Sequence, residues 1–334
     1  MKEANLQKKI AKFIAELSTS LPKPDWQTKH KASLSLDNCL LLDFSSNKSD
    51  NPVFIIPPQA GHHSCIADYD INQSLVEASL KAGKETYSAE WKSATFKQRG
   101  NTIDDCIISM KKCIEKIGKK VSLIGLCQGG WQSAIYAALY PEDISSLVLA
   151  AAPIDFHAGN GKITQSALNT PMEFYKTMVA AGNGCLDGKF MVAGFKMLNP
   201  EDRFFNDYKD LFERIDDENF VKRTRKFRAW YEYTQNLPGK FYLQVVKELF
   251  KENKLIKGNL DILGRKVNMM DILCPIYLIA GEKDDITLPE QVFAAEKYVS
   301  SKDIKKMTVP AGHIGVFMGT KIVRDYWPGI FSSL

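Results

Sequence analysis

No two of the seven cysteines, at positions 39, 65, 106, 113, 127, 185 and 274, form a CxxC pair, and their number is odd. That pattern argues against a disulfide framework and against a zinc site, so no metal is expected. No apolar run approaches the roughly 20 residues that span a bilayer, so no transmembrane segment is expected. An excess of one charge is missing too. Forty-four basic residues face 39 acidic ones, a net charge of +5, too mild by itself to imply a nucleic-acid partner. Internal repeats and low-complexity tracts are absent. The N-terminal stretch MKEANLQKKIAKFIAEL places charge in every turn and lacks the unbroken apolar core of a signal peptide. Free thiols and no leader predict a cytoplasmic protein.

What is present is an alternation of short apolar runs with helical patterns from about residue 34. Asn38–Phe44, Pro52–Pro57, Lys84–Trp91, Val121–Leu126 and Ile144–Ala152 read as strands. Residues 70–82, 102–117 and 128–140 read as helices, the second with Ile103, Cys106, Ile107, Met110 and Ile114 on one stripe and Gly118 at its end. The alternation stops over 155–270, which has a helical character. It resumes with Ile276–Ala280 and Ile304–Val309 as strands and with 288–299 and 319–333 as helices. Such βα order predicts a mostly parallel sheet with helices on both faces. The expected fold class is α/β, and the elbow motif Gly-Leu-Cys-Gln-Gly at 125–129 makes it the α/β-hydrolase type, with a helical cap inserted between strands 6 and 7. The expected organisation is an amphipathic N-terminal extension over 1–33, a core over 34–154 and 271–334, and the cap over 155–270. Leu6, Ile10, Phe13, Ile14 and Leu17 share one helical face in the extension, which suits docking on its own domain or on a granule or membrane surface. Residues 204–250 hold 12 of the 35 aromatics, from Phe204 and Phe205 to Phe250. Most suit a helical core, and the remainder could line an apolar acyl channel.

The chemistry is concentrated at residues 121–130, VSLIGLCQGG. Gly125-Leu-Cys127-Gln-Gly129 has the form G-x-C-x-G, a nucleophile elbow with cysteine in place of serine. A nucleophile on a strained strand-to-helix turn needs neighbours without side chains. The N-terminus of the helix that follows favours a thiolate. A thiol needs a base, and the base an orienting acid. In this fold the acid follows the seventh strand, here Ile276–Ala280 with Asp284 in GEKDDI after it, and the base follows the eighth, here Ile304–Val309 with His313 in PAGHIG after it. Asp155 is a weaker candidate for the acid. The oxyanion would be met by the Gln128 N–H and by an N–H of Gln59 or Ala60, in the loop after the third strand. Two histidines, His62 and His63, share that loop. A basic run in the cap includes Arg223, Arg225 and Arg228. It suits either a solvated helix face or contacts to the phosphates of coenzyme A.

Together GLCQGG, YAALYPEDISSLVLAAAPIDFHAG, GEKDDITLPEQ and PAGHIGVFMG resemble the polyhydroxyalkanoate synthase and intracellular polyhydroxyalkanoate depolymerase group. The resemblance is close over roughly 53–160 and 272–334. By position it implies Cys127 as the acyl-carrying nucleophile, Asp284 as its orienting acid and His313 as the general base. It also implies an acyl-CoA or polyester substrate without a cofactor, and a homodimer, a second subunit or a granule surface as partner. Polymer synthesis from 3-hydroxyacyl-CoA is the leading expectation. Asp285, where synthases have histidine, together with GHIGVF, leans toward the depolymerases, so hydrolysis remains beside it, and a non-catalytic granule-binding role is the third alternative.

Overall fold

The computed structural model describes residues 2–45, 48–201 and 205–334. Eight strands form one sheet: β1 (Lys31–Ser35), β2 (Cys39–Asp43), β3 (Val53–Ile56), β4 (Thr86–Trp91), β5 (Val121–Leu126), β6 (Ile144–Ala150), β7 (Ile276–Gly281) and β8 (Ile304–Val309). Their spatial order is β1-β2-β4-β3-β5-β6-β7-β8. The pairs β1–β2 and β2–β4 are antiparallel, and every other neighbouring pair is parallel.

The central strands are apolar at nearly every position because both faces of the sheet are covered. Phe54, Ile56, Leu123, Leu147, Leu149, Leu278 and Ala280 pack on one side. Val53, Ile55, Ile124, Leu126, Val148, Ala150 and Ile279 alternate with them and pack on the other. Helix α1 (Lys2–Leu17) precedes the sheet. Helix α2 (Leu75–Lys81) follows β3, α3 (Ile103–Ile117) follows β4, and α4 (Gln128–Leu139) follows β5. A reciprocal Thr102–Asp105 box starts α3, and Gly118 ends it with φ +77°, the left-handed conformation that glycine adopts without strain.

Between β6 and β7 the chain is largely helical, with α5 (Lys162–Asn169), α6 (Met172–Ala181), α7 (Gly188–Leu198), α8 (Asp207–Glu213), α9 (Glu218–Tyr231) and α10 (Gly239–Gln244). Two short strand pairs interrupt them, Cys185–Leu186 with Leu237–Pro238 and Asp261–Ile262 with Arg265–Lys266. Leu255, Leu260, Ile262, Val267 and Met269 belong to the same core as Trp131 and Ile135 of α4. The insertion therefore returns to the sheet before β7 begins.

Several boundaries differ from expectation. The sheet starts earlier, with β1 at Lys31. The helix expected over 70–82 begins only at Leu75, capped by Ser74. The residues before it form a short hairpin around Asn72, which has φ +63°. The helix expected over 288–299 is α11 (Pro289–Phe293) followed by a 3-10 turn. The final segment divides into α12 (Gly315–Met318), α13 (Thr320–Asp325) and α14 (Trp327–Ser333). Pro328 at the start of α14 has no N–H to give to a continuous helix, and it restricts the residue before it.

Candidate active site

Strand β5 ends at Leu126, and α4 begins at Gln128. Cys127 joins them with φ 51° and ψ −116°, a conformation strained for any residue with a side chain. The glycines around it make this turn possible. A Cβ on Gly129 would lie 1.9 Å from the Ile56 carbonyl oxygen, and one on Gly125 would lie 2.4 Å from Gly130 Cα. A Cβ on Gly130 would lie 2.1 Å from Ala152 Cβ. Helix α4 thus starts pressed against the ends of β3 and β6. The Cys127 N–H donates to the Ala150 carbonyl at 2.9 Å, and the Cys127 carbonyl accepts from Gly130 at 2.9 Å.

The loops after β7 and β8 are fastened to each other. Glu282 N–H donates to Val309 O at 2.8 Å, and Lys283 N–H to Ala311 O at 3.0 Å. This brings Asp284 and His313, both buried, together, with His313 Nδ1 2.8 Å from Asp284 Oδ2. The other oxygen of Asp284 accepts from the Ile286 and Thr287 N–H groups at 2.9 and 2.8 Å. Burial alone would lower the His313 imidazole pKa. The charges of Cys127 and Asp284, with hydrogen bonds to both, outweigh that and hold it well above its ordinary value. Asp285 points elsewhere and accepts from Asn199 Nδ2. Asp155 is held by Asn253 Nδ2 at 2.8 Å and by the His157 N–H at 3.1 Å, with no contact to His313 among the described residues.

Cys127 and His313 open into a small cavity of about 80 Å³. Its walls are mostly apolar. Ile66, Ile286 and Phe317 come from the core, Phe195 and Leu198 from α7, and Trp230 and Tyr231 from the end of α9. Ala60 lies on this wall as well, and its N–H has no hydrogen-bond partner among the described residues. The Gln128 N–H is at the first position of α4 and has no partner within the helix. The Gln59 side chain turns away, and its Oε1 accepts from the Cys106 thiol at 3.4 Å. Helical insertion and loop are joined by hydrogen bonds to the loop's carbonyl groups. Gln235 N–H donates to Gly61 O at 2.8 Å, and Trp230 Nε1 to His63 O at 3.0 Å.

Cover over Cys127 was expected from 204–250, and α9 supplies Trp230 and Tyr231. Helix α7, outside that segment, supplies Phe195 and Leu198, and the residue that caps it supplies Asn199. Its sequence, GKFMVAGFKML, is apolar on more than one face, which was the available signal. Other aromatics of 204–250 build cores, as expected for most of them. Phe241 stacks on Trp131, Phe250 meets Phe156 edge-on, and Phe212 meets Phe13 of α1. Phe204 lies outside the described residues.

The basic run divides between two sides of α9. Arg225 Nε donates to Glu16 Oε1 of α1 at 3.0 Å, and Arg228 Nη1 lies 3.7 Å from the same carboxylate. Arg223 and Arg228 line a second cavity of about 350 Å³, which shares Tyr231 with the first. Among the described residues, no group of three or more His, Cys, Asp or Glu side chains could hold a metal ion, and no helix is long and apolar enough to cross a membrane.

Residues 41–334 match the family model described as "Protein of unknown function (DUF3141)". The chain belongs to this family. This DUF3141 protein is also similar to the poly(3-hydroxyalkanoate) polymerase subunit PhaC of Haloferax mediterranei, with 27% identity over 271 residues, 79% of this chain and 55% of that one. The same-named subunit of Synechocystis sp. is 28% identical over 278 residues, 79% of this chain and 72% of that one. The chain thus spans about half the length of the Haloferax relative. The resemblance expected from the motifs therefore extends along most of the chain. Among solved structures, a Paleococcus ferrophilus monoacylglycerol lipase superposes with TM-score 0.53 at 18% identity, covering 86% of this chain and 96% of that one. A Bacillus megaterium epoxide hydrolase superposes with TM-score 0.51 at 14% identity, covering 92% and 100%. With the strand order above, these likenesses establish the α/β-hydrolase fold.

Proposed function

We propose that this protein is a thiol-dependent acyltransferase of the polyhydroxyalkanoate synthase type, acting on 3-hydroxyacyl-CoA. The observation that carries the reading is Cys127 on a strained elbow facing a His313 that is bonded to Asp284. In the first step the Cys127 sulfur attacks the thioester carbonyl. The Gln128 and Ala60 N–H groups, with Gln59 as the alternative donor, receive the oxyanion. The carbon–sulfur bond to coenzyme A breaks as His313 delivers its proton to the departing thiolate, leaving an acyl-cysteine. In the second step neutral His313 takes the proton of a chain-end hydroxyl, whose oxygen attacks the acyl-cysteine. The new ester forms, and the cysteine thiolate leaves opposite the recharged imidazolium. No cofactor enters either step.

Arg223, Arg225 and Arg228 are proposed contacts for the coenzyme A phosphates. A second subunit or second copy, and a polymer granule in the cytoplasm, are proposed partners. A hydrolytic reading, with water as second acceptor, is supported by Asp285 and by the likeness to depolymerase motifs. The mostly apolar lining of the cavity at Cys127 supports transfer, because an acyl-thioester survives for a chain hydroxyl only where water is kept out.

The test is incubation of the purified protein with 3-hydroxybutyryl-CoA and, separately, with amorphous polymer. Released coenzyme A with growing polyester supports synthesis. Soluble hydroxyacid from the polymer supports hydrolysis instead. In either case Cys127→Ala should lower turnover by about 10³-fold or more. Undiminished turnover in a folded Cys127→Ala protein overturns both readings.

A further inference from the structure

The polar side chains on the wall of the Cys127 cavity are nearly all engaged. Asn199 is bonded to Asp285, and His313 to Asp284. His62 is the exception. Its relative exposure is 9%, and its Nδ1 is buried without a hydrogen-bond partner among the described residues. Leaving a buried ring nitrogen unpaired is costly, and the ring itself lines the Cys127 cavity.

The ring is held firmly. It stacks on Trp230 with centroids 4.7 Å apart and lies near Tyr231 at 5.0 Å and Phe195 at 6.0 Å. Its backbone neighbours are pinned by the insertion, through Gln235 to Gly61 and Trp230 to His63. Burial, aided by the charge of Lys196, lowers its pKa to about 4. Near neutral pH it is therefore an uncharged imidazole, with one nitrogen that donates and one that accepts. A hydroxyl has the same two capacities.

We infer that His62 is a specificity-determining residue that hydrogen-bonds the hydroxyl of a hydroxyacyl group held in the Cys127 cavity. The inference rests on the acyl-transfer reading above and names how that site tells a hydroxyacyl chain from a plain one. A site built to pair a hydroxyl discriminates against the analogue without it, because its own polar group is then left unpaired. Methyl-bearing walls alone cannot supply that selection.

The test compares kcat/KM for 3-hydroxybutyryl-CoA and butyryl-CoA in the full-length wild-type protein, His62→Phe and His62→Gln. Phenylalanine keeps the stacked ring and removes both nitrogens, and glutamine keeps a donor and an acceptor. The wild type should prefer the hydroxylated substrate by about 10- to 100-fold. His62→Phe should bring the ratio to within about threefold of unity by weakening the hydroxylated substrate alone, chiefly through KM, and His62→Gln should restore part of it. An unchanged ratio in His62→Phe, or an equal fall for both substrates, makes His62 a packing residue and overturns the inference while the acyl-transfer reading stands. Wild-type protein that turns over neither thioester overturns that reading and the inference with it.

Discussion

Cys127 differs from most other thiols of the chain in what surrounds it. Burial pushes the thiols of Cys65, Cys106, Cys185 and Cys274 up, the last to about 11. A hydrogen bond to Cys39, together with burial, does the same for Cys113. None of these is suited to attack a carbonyl near neutral pH. The carboxylates beside the site differ just as clearly. Asp284 bonds His313, and Asp285 bonds Asn199. Asp284→Asn should therefore reduce turnover far more than Asp285→Asn, because an amide favours the wrong imidazole tautomer. Steady-state rates of the two variants check this, and the reverse ranking would reassign the acid. Two histidines here also set opposite pH trends for stability. Folded His62 titrates at about 4 against 6.5 when unfolded, so the unfolded chain takes up a proton first as pH falls. Its contribution is complete above about pH 6.5 and is lost toward pH 4, by about 3 kcal/mol in all. His313 is raised instead, so its contribution is present below 6.5 and declines as pH rises through its folded value. Urea midpoints at pH 7 and pH 4.5 should fall less steeply in His62→Phe than in the wild type. Parallel slopes would mean that His62 does not carry the acid-side loss. The meeting of Cys127, Asp284 and His313 at one candidate site was legible because strand ends put them there. His62 was visible only as a loop histidine, since a sequence does not record which nitrogen lacks a partner.

At the scale of elements, the elbow is a three-way contact of β3, β5 and α4, and the glycines measure how tight it is. Gly129→Ala would drive a methyl group to 1.9 Å from the Ile56 carbonyl oxygen. Only backbone movement relieves that, at a cost of about 3 kcal/mol or more. Gly194→Ala, in α7, meets nothing within 4 Å and should be neutral or slightly stabilising, because alanine is the better helix former. Denaturant midpoints for the pair test this, and a Gly129→Ala protein as stable as Gly194→Ala would mean that the elbow is looser than drawn. The central strands were legible because burial on both faces leaves apolar residues at consecutive positions. The ends of helices were less so. Residues 68–74 are polar enough to begin a helix, yet the backbone turns at Asn72 to form a hairpin. Helix α7 offered only its wide apolar surface as a signal, because its residues that line the Cys127 cavity are of the same apolar kinds as those that fill a core.

On the scale of the whole molecule, the N-terminal helix is tied to the insertion by charge as much as by apolar contact. Phe13 meets Phe212 at 5.4 Å, and Lys12 reaches Asp216 at 2.6 Å. Glu16, only 5% exposed, holds Arg225 and lies beside Arg228. The apolar stripe of α1 is not wholly consumed, since Leu6, Ile10 and Ile14 remain exposed. If Arg225 and Arg228 also take coenzyme A phosphates, Glu16 competes with the substrate for them. Glu16→Gln then has two separable effects. Neutralising a buried carboxylate whose main partner, Arg225, is half-exposed should loosen α1 by about 1 kcal/mol, seen as faster tryptic cleavage at Lys8, Lys9 and Lys12. Releasing the guanidinium groups should lower the KM for an acyl-CoA several-fold at low salt, an advantage that fades as salt screens the phosphates. Hydrolysis of a small uncharged ester should be unchanged, because it offers no phosphate. Faster cleavage with an unaltered acyl-CoA KM would leave Glu16, Arg225 and Arg228 as a clasp for α1, and the phosphate contacts would then fall to Arg223 alone.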